Sequence, residues 1–167
     1  MQRPGVCNAL ETLLINSQIY QDMGSLIIEE LLENEVELFV DEKIKEDFPN
    51  LNLANESHYE TEFLDLKLAI KVVDSVDEAI EHIKIYSSGH TEAILTESKE
   101  VADTFAKCID SSVIFINSST RFTDGEMFGF GSEIGISTQK LHVRGPMGLE
   151  ALTNERYVVT GEGTVRG

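Results

Sequence analysis

Of the two cysteines in this chain, Cys7 and Cys108, the first sits where a thiol could act as a nucleophile. The run Pro4-Gly5-Val6-Cys7-Asn8-Ala9-Leu10-Glu11 reads as a tight turn feeding a helix. Asn8 would be the N-cap, and Glu11, three residues on, would complete a capping box. Cys7 would then lie at the positive end of the helix dipole, which favours the thiolate. An ordinary buried cysteine is the other reading. A second cluster follows the apolar run Val113-Ile114-Phe115-Ile116, in Asn117-Ser118-Ser119-Thr120-Arg121-Phe122. Small polar groups at the carboxyl end of a parallel strand lie where α/β proteins bind ligands. Arg121, Lys140 and Arg144 are cations for a carboxylate or phosphate, or for ordinary surface ion pairs. The segment Phe128-Gly129-Phe130-Gly131-Ser132-Glu133-Ile134-Gly135 does not read as a dinucleotide loop, because its third glycine comes one residue late. His58, His82, His90 and His142 have no metal-ligand spacing, so no metal is expected. His82 reads as a surface residue, and His90, after Ser87-Ser88-Gly89, as either catalytic or structural.

These residues need a frame. Leu10, Leu13 and Leu14 make a helical stripe after Cys7, and Leu26, Ile27, Glu30 and Leu31 a second one. Glu37–Val40 reads as a short buried strand and Phe48 to Tyr59, with Pro49, as a surface loop. Leu66 to Val73 alternates as a strand does, Val76 to Tyr86 is an amphipathic helix, and Ala93 to Leu95 is a brief strand. Ser98 caps a helix running to about Cys108. Alternating strands and helices predict an α/β fold, a mostly parallel sheet flanked by helices. Asn117 to Gly148 is polar and Gly-rich, yet its Phe122, Met127, Phe128 and Phe130 argue against disorder. Tyr157 to Thr160 reads as an unpaired strand that invites self-association.

The 167 residues suit one domain, and 41% hydrophobic content can supply a core. A net charge of −17 argues against nucleic acid and anionic membrane as partners. The charge is uneven: residues 1–110 hold 24 acids against 8 bases, residues 111–167 hold 6 against 5. An anionic small ligand is repelled by the first part and tolerated by the second. Two distant cysteines make no disulfide framework, and a reduced, cytoplasmic setting is the default.

Three stretches carry a family resemblance: Gln2 to Leu14; Gly89-His90-Thr91-Glu92-Ala93-Ile94; and Asn117 to Leu152, with Ser119-Thr120-Arg121-Phe122-Thr123-Asp124-Gly125, Ser137 to His142 and Arg144 to Leu152. Together they resemble the gamma-glutamyl phosphate reductases, the glutamate-5-semialdehyde dehydrogenases of the aldehyde dehydrogenase superfamily. The resemblance implies NADPH-dependent reduction of L-glutamyl 5-phosphate to glutamate 5-semialdehyde, the second step of proline biosynthesis. Cys7 is implied as the nucleophile of a thioacyl intermediate. Glu62, in Glu60-Thr61-Glu62-Phe63-Leu64, is implied at the nicotinamide ribose, although Asp65-Leu66 stands where the wider superfamily has Gly-Pro. Arg121, Lys140 and Arg144 become candidates for the substrate carboxylate or phosphate, and Asp124 and Glu133 for its ammonium group. The chain resembles the C-terminal two-fifths of such an enzyme. Residues 1–153 would be the catalytic domain and residues 154–167 the strand or tail of an oligomerisation region. An N-terminal NADP-binding domain would lie elsewhere, leaving this stretch without turnover. A homo-oligomer, with glutamate 5-kinase as a further partner, is implied. The reductase half of a bifunctional pyrroline-5-carboxylate synthase, and a non-catalytic module with a structural Cys7, are the alternatives. Preferential alkylation of Cys7 over Cys108 is the expected mark of the nucleophile.

Overall fold

The computed structural model describes residues 2–167. In order they form β1 (Thr12–Asn16), α1 (Ser17–Glu33), β2 (Glu37–Val40), α2 (Glu42–Asp47), β3 (Asn52–Leu53), α3 (Glu56–Glu60), β4 (Lys67–Val73), α4 (Val76–Tyr86), β5 (Thr91–Ile94), α5 (Lys99–Cys108), β6 (Val113–Ile116), β7 (Gly135–Ser137) and β8 (Gly145–Met147). The main sheet is parallel, in the order β1-β4-β2-β3. β5 and β6 form a second parallel pair, and β7 and β8 an antiparallel one. The mixed α/β architecture is the one expected.

Ile15, Tyr20, Ile28, Val36, Leu38, Val40, Ile44, Leu68, Ile70 and Val72 form the main core, with Ile27 and Leu31 packed against it. Leu26 of the same predicted stripe stays 61% exposed. A smaller cluster, Ile80, Phe105 and Ile109, joins α4 to α5. Both helices begin as their sequences predict, with the side chains of Ser75 and Ser98 accepting from the N–H of Glu78 and Val101.

The helix expected after Cys7 is a strand. The spacing of Leu10, Leu13 and Leu14 is helical, but the unbroken run Leu13-Leu14-Ile15 also suits a strand covered on both faces, and a parallel partner decides it: Thr12 to Asn16 runs in register with Ala69 to Val73 of β4. The first helix starts instead at Ser17, capped by Asn16, whose side chain accepts from Gln18 N–H at 3.0 Å. Asn8 and Glu11 therefore cap nothing. The expected loop from Phe48 to Tyr59 holds β3 and α3. Tyr157 to Thr160 takes no strand conformation, and Tyr157, Val158 and Val159 are 89%, 76% and 91% exposed; no strand among the described residues lies beside them. No helix among the described residues is long and apolar enough to cross a membrane.

Candidate functional site

Cys7 occupies the second position of a turn closed by the Ala9 N–H donating to the Val6 carbonyl at 3.0 Å. Its side chain is exposed. The turn is fixed from behind by Asn8, only 7% exposed. Asn8 Nδ2 donates to the Thr123 carbonyl at 2.9 Å, and its Oδ1 accepts from the Arg121 guanidinium. The Asn8 carbonyl accepts from Thr120 Oγ1 at 2.7 Å. The partner segment, a 3-10 turn at Thr120–Phe122, is delivered by β6 through Asn117. Asn117 takes a left-handed φ of 54°, which Asn tolerates better than most residues, and pairs with both backbone groups of Thr96. Two motifs more than a hundred residues apart thus form one knot behind the thiol.

The network runs on to a histidine. Thr123 Oγ1 and Thr91 Oγ1 lie 2.9 Å apart, and Thr91 Oγ1 is 2.7 Å from His90 Nδ1. His90 Nε2 is buried without a hydrogen-bond partner. Burial holds the His90 pKa below its usual value, with Glu62 and Glu133 pulling the other way, so the ring is neutral at pH 7. The same two carboxylates act on Cys7. Burial first, then Glu133, push its thiol up; its own backbone N–H lowers it, Glu62 raises it and Arg121 lowers it. The site holds a thiol, the reverse of what a helix dipole would give. Preferential alkylation of Cys7 at neutral pH is accordingly no longer the expected signature. Glu133 is itself anchored by the Gly125 N–H at 2.9 Å, and a side chain on Gly125 would meet the Ser132 carbonyl at 2.7 Å and Glu133 Cβ at 2.9 Å. Replacing Glu133 with glutamine removes a nearby negative charge, so Cys7 should alkylate several-fold faster with iodoacetamide at pH 7.5. Stopped labelling followed by peptide mapping checks it, and an unchanged rate would separate Glu133 from the thiol.

Two carboxylates that sequence reasoning missed complete the site. Glu11, whose carbonyl accepts from the Ala69 N–H at 3.0 Å, is half-buried. Burial, then Glu62 and Glu92, raise its pKa to about 7. Glu92 accepts from Ser87 and from the buried Ser111, and burial pushes its pKa up. The local pattern marks Glu11 only for a cap it does not make, because the carboxylates that act on it, Glu62 on a loop and Glu92 on β5, come from far along the chain. Its folded pKa exceeds the unfolded value of 4.5, so it leaves stability untouched well below pH 4.5, subtracts from it increasingly between pH 4.5 and about 7, and costs a constant amount above that. The shift discounted for solvent screening is worth about 1–2 kcal/mol. Glu11→Gln should raise the melting temperature at pH 8 by a few degrees and leave it unchanged at pH 4, as calorimetry at both pH values would read.

The cations divide into two groups. Arg121 faces a 280 Å³ cleft beside the Cys7 turn, lined also by Arg3, Asp65, Lys67, Ser119 and Thr120. Its Nε is buried and unpartnered. Lys140 and Arg144 both pair with Asp110, Arg144 at 2.9 Å, which ties the loop before β8 to the segment before β6. Asp124 caps its own turn, accepting from the Glu126 and Met127 N–H groups at 2.9 and 3.1 Å. Glu62 is exposed, on a loop steadied by Phe63 stacking on Phe39 at 5.6 Å, and the next residue, Leu64, is held at a left-handed φ of 51°. Among the described residues no three His, Cys, Asp or Glu side chains are grouped to hold a metal.

No protein-family model matches the chain. It is 52% identical over 166 residues to a gamma-glutamyl phosphate reductase of Thermoanaerobacter sp. (strain X514), covering 99% of this chain and 40% of that protein. The crystal structure of the gamma-glutamyl phosphate reductase of Thermotoga maritima matches with a TM-score of 0.92 at 53% identity, over 99% of this chain and 40% of that one. An acetylating aldehyde dehydrogenase from Geobacillus thermoglucosidasius, 16% identical, matches with a TM-score of 0.51 over 81% of this chain and 37% of that one, and shows the fold alone. The chain thus spans about two-fifths of the length of the curated relatives it matches.

Proposed function

By sequence and by fold this chain belongs with the gamma-glutamyl phosphate reductases, and on that premise we propose that it carries the acyl-transfer face of such an enzyme, with Cys7 as nucleophile. The observation that supports this most is the Asn8 knot, which holds one exposed thiol in a fixed turn and connects it through Thr123 and Thr91 to His90. In the proposed reaction the acyl carbon of L-glutamyl 5-phosphate meets Cys7 Sγ. The S–C bond forms, the C–O bond to phosphate breaks, inorganic phosphate leaves and the thiol proton passes to a base. A raised thiol pKa makes that base necessary, and neutral His90, with its free Nε2, is the candidate. An acyl phosphate already has a good leaving group, so this step needs little acid catalysis.

Arg3 and Arg121 are the cations best disposed to receive the substrate's phosphate or carboxylate, because both line the cleft beside the turn. Lys140 and Arg144 would have to exchange Asp110 for substrate. Glu133 suits the ammonium group better than Asp124, which is engaged in its turn. When bound, NADPH supplies the hydride that takes the thioester to the aldehyde. Glu62, an exposed carboxylate near enough to Cys7 for its charge to raise the thiol pKa, is the candidate for a ribose hydroxyl of that cofactor. Self-association through residues 154–167, and receipt of the labile substrate from a glutamate 5-kinase, belong to the same proposal.

Mixed with acetyl phosphate as a stand-in substrate, the chain should gain one acetyl group on Cys7 with one phosphate released. It should oxidise NADPH negligibly, since it spans less than half of its relatives' length. Mass spectrometry locates the adduct. A structural Cys7 in a non-catalytic module draws support from the raised thiol pKa. Acetylation confined to Cys108, or none, would favour that reading.

A further inference from the structure

At the opposite end of β4 from Cys7 lies a larger cleft, of 380 Å³, which the acyl-transfer chemistry does not use. It opens where the chain leaves the carboxyl ends of neighbouring parallel strands: Asp41 and Glu42 follow β2, Ala54 follows β3, and Lys71 lies near the end of β4. From there α2 leads out towards β3 while α4 leads away towards β5, so the outgoing connections diverge. Such a divergence between adjacent parallel strands is the usual location of a ligand crevice in an α/β sheet. The volume is that of a small-molecule pocket.

The walls are aromatic and acidic. Tyr59 of α3 meets the His82 ring edge-on with centroids 4.7 Å apart, and Tyr86 tilts against the same ring at 4.6 Å. His82, expected on the surface, is only 6% exposed because α3 covers it, and its Nε2 is buried with no hydrogen-bond partner. Burial lowers its pKa to about 4, so the ring is neutral at pH 7 and one of its nitrogens is an acceptor. Asp41, Glu42, Glu78 and Glu81 line the cleft together with one lysine, Lys71, which pairs with Glu78 at 3.2 Å. Lys84, outside the lining, pairs with Glu81 at 2.7 Å, which leaves Asp41 and Glu42 without a cation among the described residues. Asp41 spends its oxygens on the Ile44 and Val72 N–H groups and has no cationic partner among the described residues. Leu53 and Ile85 supply apolar wall.

We propose that this cleft is a second ligand site, separate from the Cys7 face, and that it takes a small organic monocation: a primary ammonium or guanidinium group on a short aliphatic body. The cation meets a net negative wall and the faces of two tyrosines. Its N–H donor answers the orphaned imidazole nitrogen, and its aliphatic part lies on Leu53 and Ile85. A free amine and a Lys or Arg side chain of another protein chain share this chemistry.

The test is an NMR titration of the chain with n-butylguanidinium and n-butylammonium, against n-butanol and butyrate as neutral and anionic counterparts of the same body. Saturable shifts of the Tyr59, His82 and Tyr86 ring resonances with the two cations, and not with butanol or butyrate, are expected. The double change Glu42→Gln and Glu81→Gln, on exposed side chains that should leave folding intact, should weaken binding roughly tenfold, about 1.4 kcal/mol. His82→Phe keeps the ring and removes the acceptor, and should weaken it further. Sedimentation with and without n-butylguanidinium separates the sources: release of a self-associated form assigns the site to a side chain of a second copy, and an unchanged profile assigns it to a free amine. No saturable shift, equal shifts with n-butanol, or full affinity in the Glu42→Gln/Glu81→Gln variant would overturn the proposal.

Discussion

Cys7→Ser should abolish acyl transfer from acetyl phosphate, lowering the rate of phosphate release on the order of ten-thousandfold, while the fold is retained. Three features of the site set the size of the effect. The thiol pKa is raised by burial and Glu133, yet a serine hydroxyl would ionise far less readily in the same place. The neutral His90 suits removal of a thiol proton and would leave an alkoxide poorly matched. Arg121, the one cation that lowers the Cys7 pKa, is anchored on Asn8, so it can receive an anion that enters the cleft but cannot shift towards a serine alkoxide without undoing the turn. Sulfur and oxygen are close in size and Cys7 is exposed, so melting should be within about 0.5 kcal/mol of the parent. Intact-mass detection of the acyl adduct and a phosphate-release assay provide the readout. Phosphate release by the serine variant at a tenth of the parent rate or more would place the chemistry on another residue.

Much of the frame behind that thiol was legible in the sequence, and the parts that were share one property. β4, α4 and α5 carry their signals locally, in the alternation from Leu66 to Val73, the amphipathic face from Val76 to Tyr86 and the cap at Ser98. The strand after Cys7 was not legible, because the three leucines have helical spacing and the deciding partner, β4, lies more than fifty residues away. His82 occupies a helical position that sequence alone assigns to solvent; the short helix α3, hidden in an Asn-rich stretch, covers it with Tyr59. Asn8 offered one role, a local N-cap, and the structure gives it another, as the tie to Thr123 and Arg121. Residue types near Cys7 could be named from sequence, and their charge states could not. The thiol pKa goes up because burial raises it, and Glu133 and then Glu62, coming in from separate loops, add to that, against the dipole argument that the apparent helix start invited.

Asn8→Ala is the second change with a large expected effect, because it unties the knot without touching any reacting atom. It deletes the donor to the Thr123 carbonyl and the acceptor for the Arg121 guanidinium, both in a region where Thr123 is 2% exposed. A buried carbonyl and a charged group left unpaired cost about 2–4 kcal/mol together. For a chain of this length that is a fall of roughly 10 °C in melting temperature. The turn around Cys7 and the 3-10 turn at Thr120–Phe122 would then move independently. A displacement of about 1 Å at the nucleophile is enough for a hundredfold loss of acyl transfer. Asn8→Asp separates the two halves of the effect. It keeps an acceptor for Arg121 and presents a carboxylate to the Thr123 carbonyl, so it should lose stability much as Asn8→Ala does while holding Arg121 in place. Calorimetry with acetyl phosphate kinetics on both variants would read the two losses separately. If Asn8→Ala melts with the parent and acylates at the parent rate, the turn is held by something other than this knot.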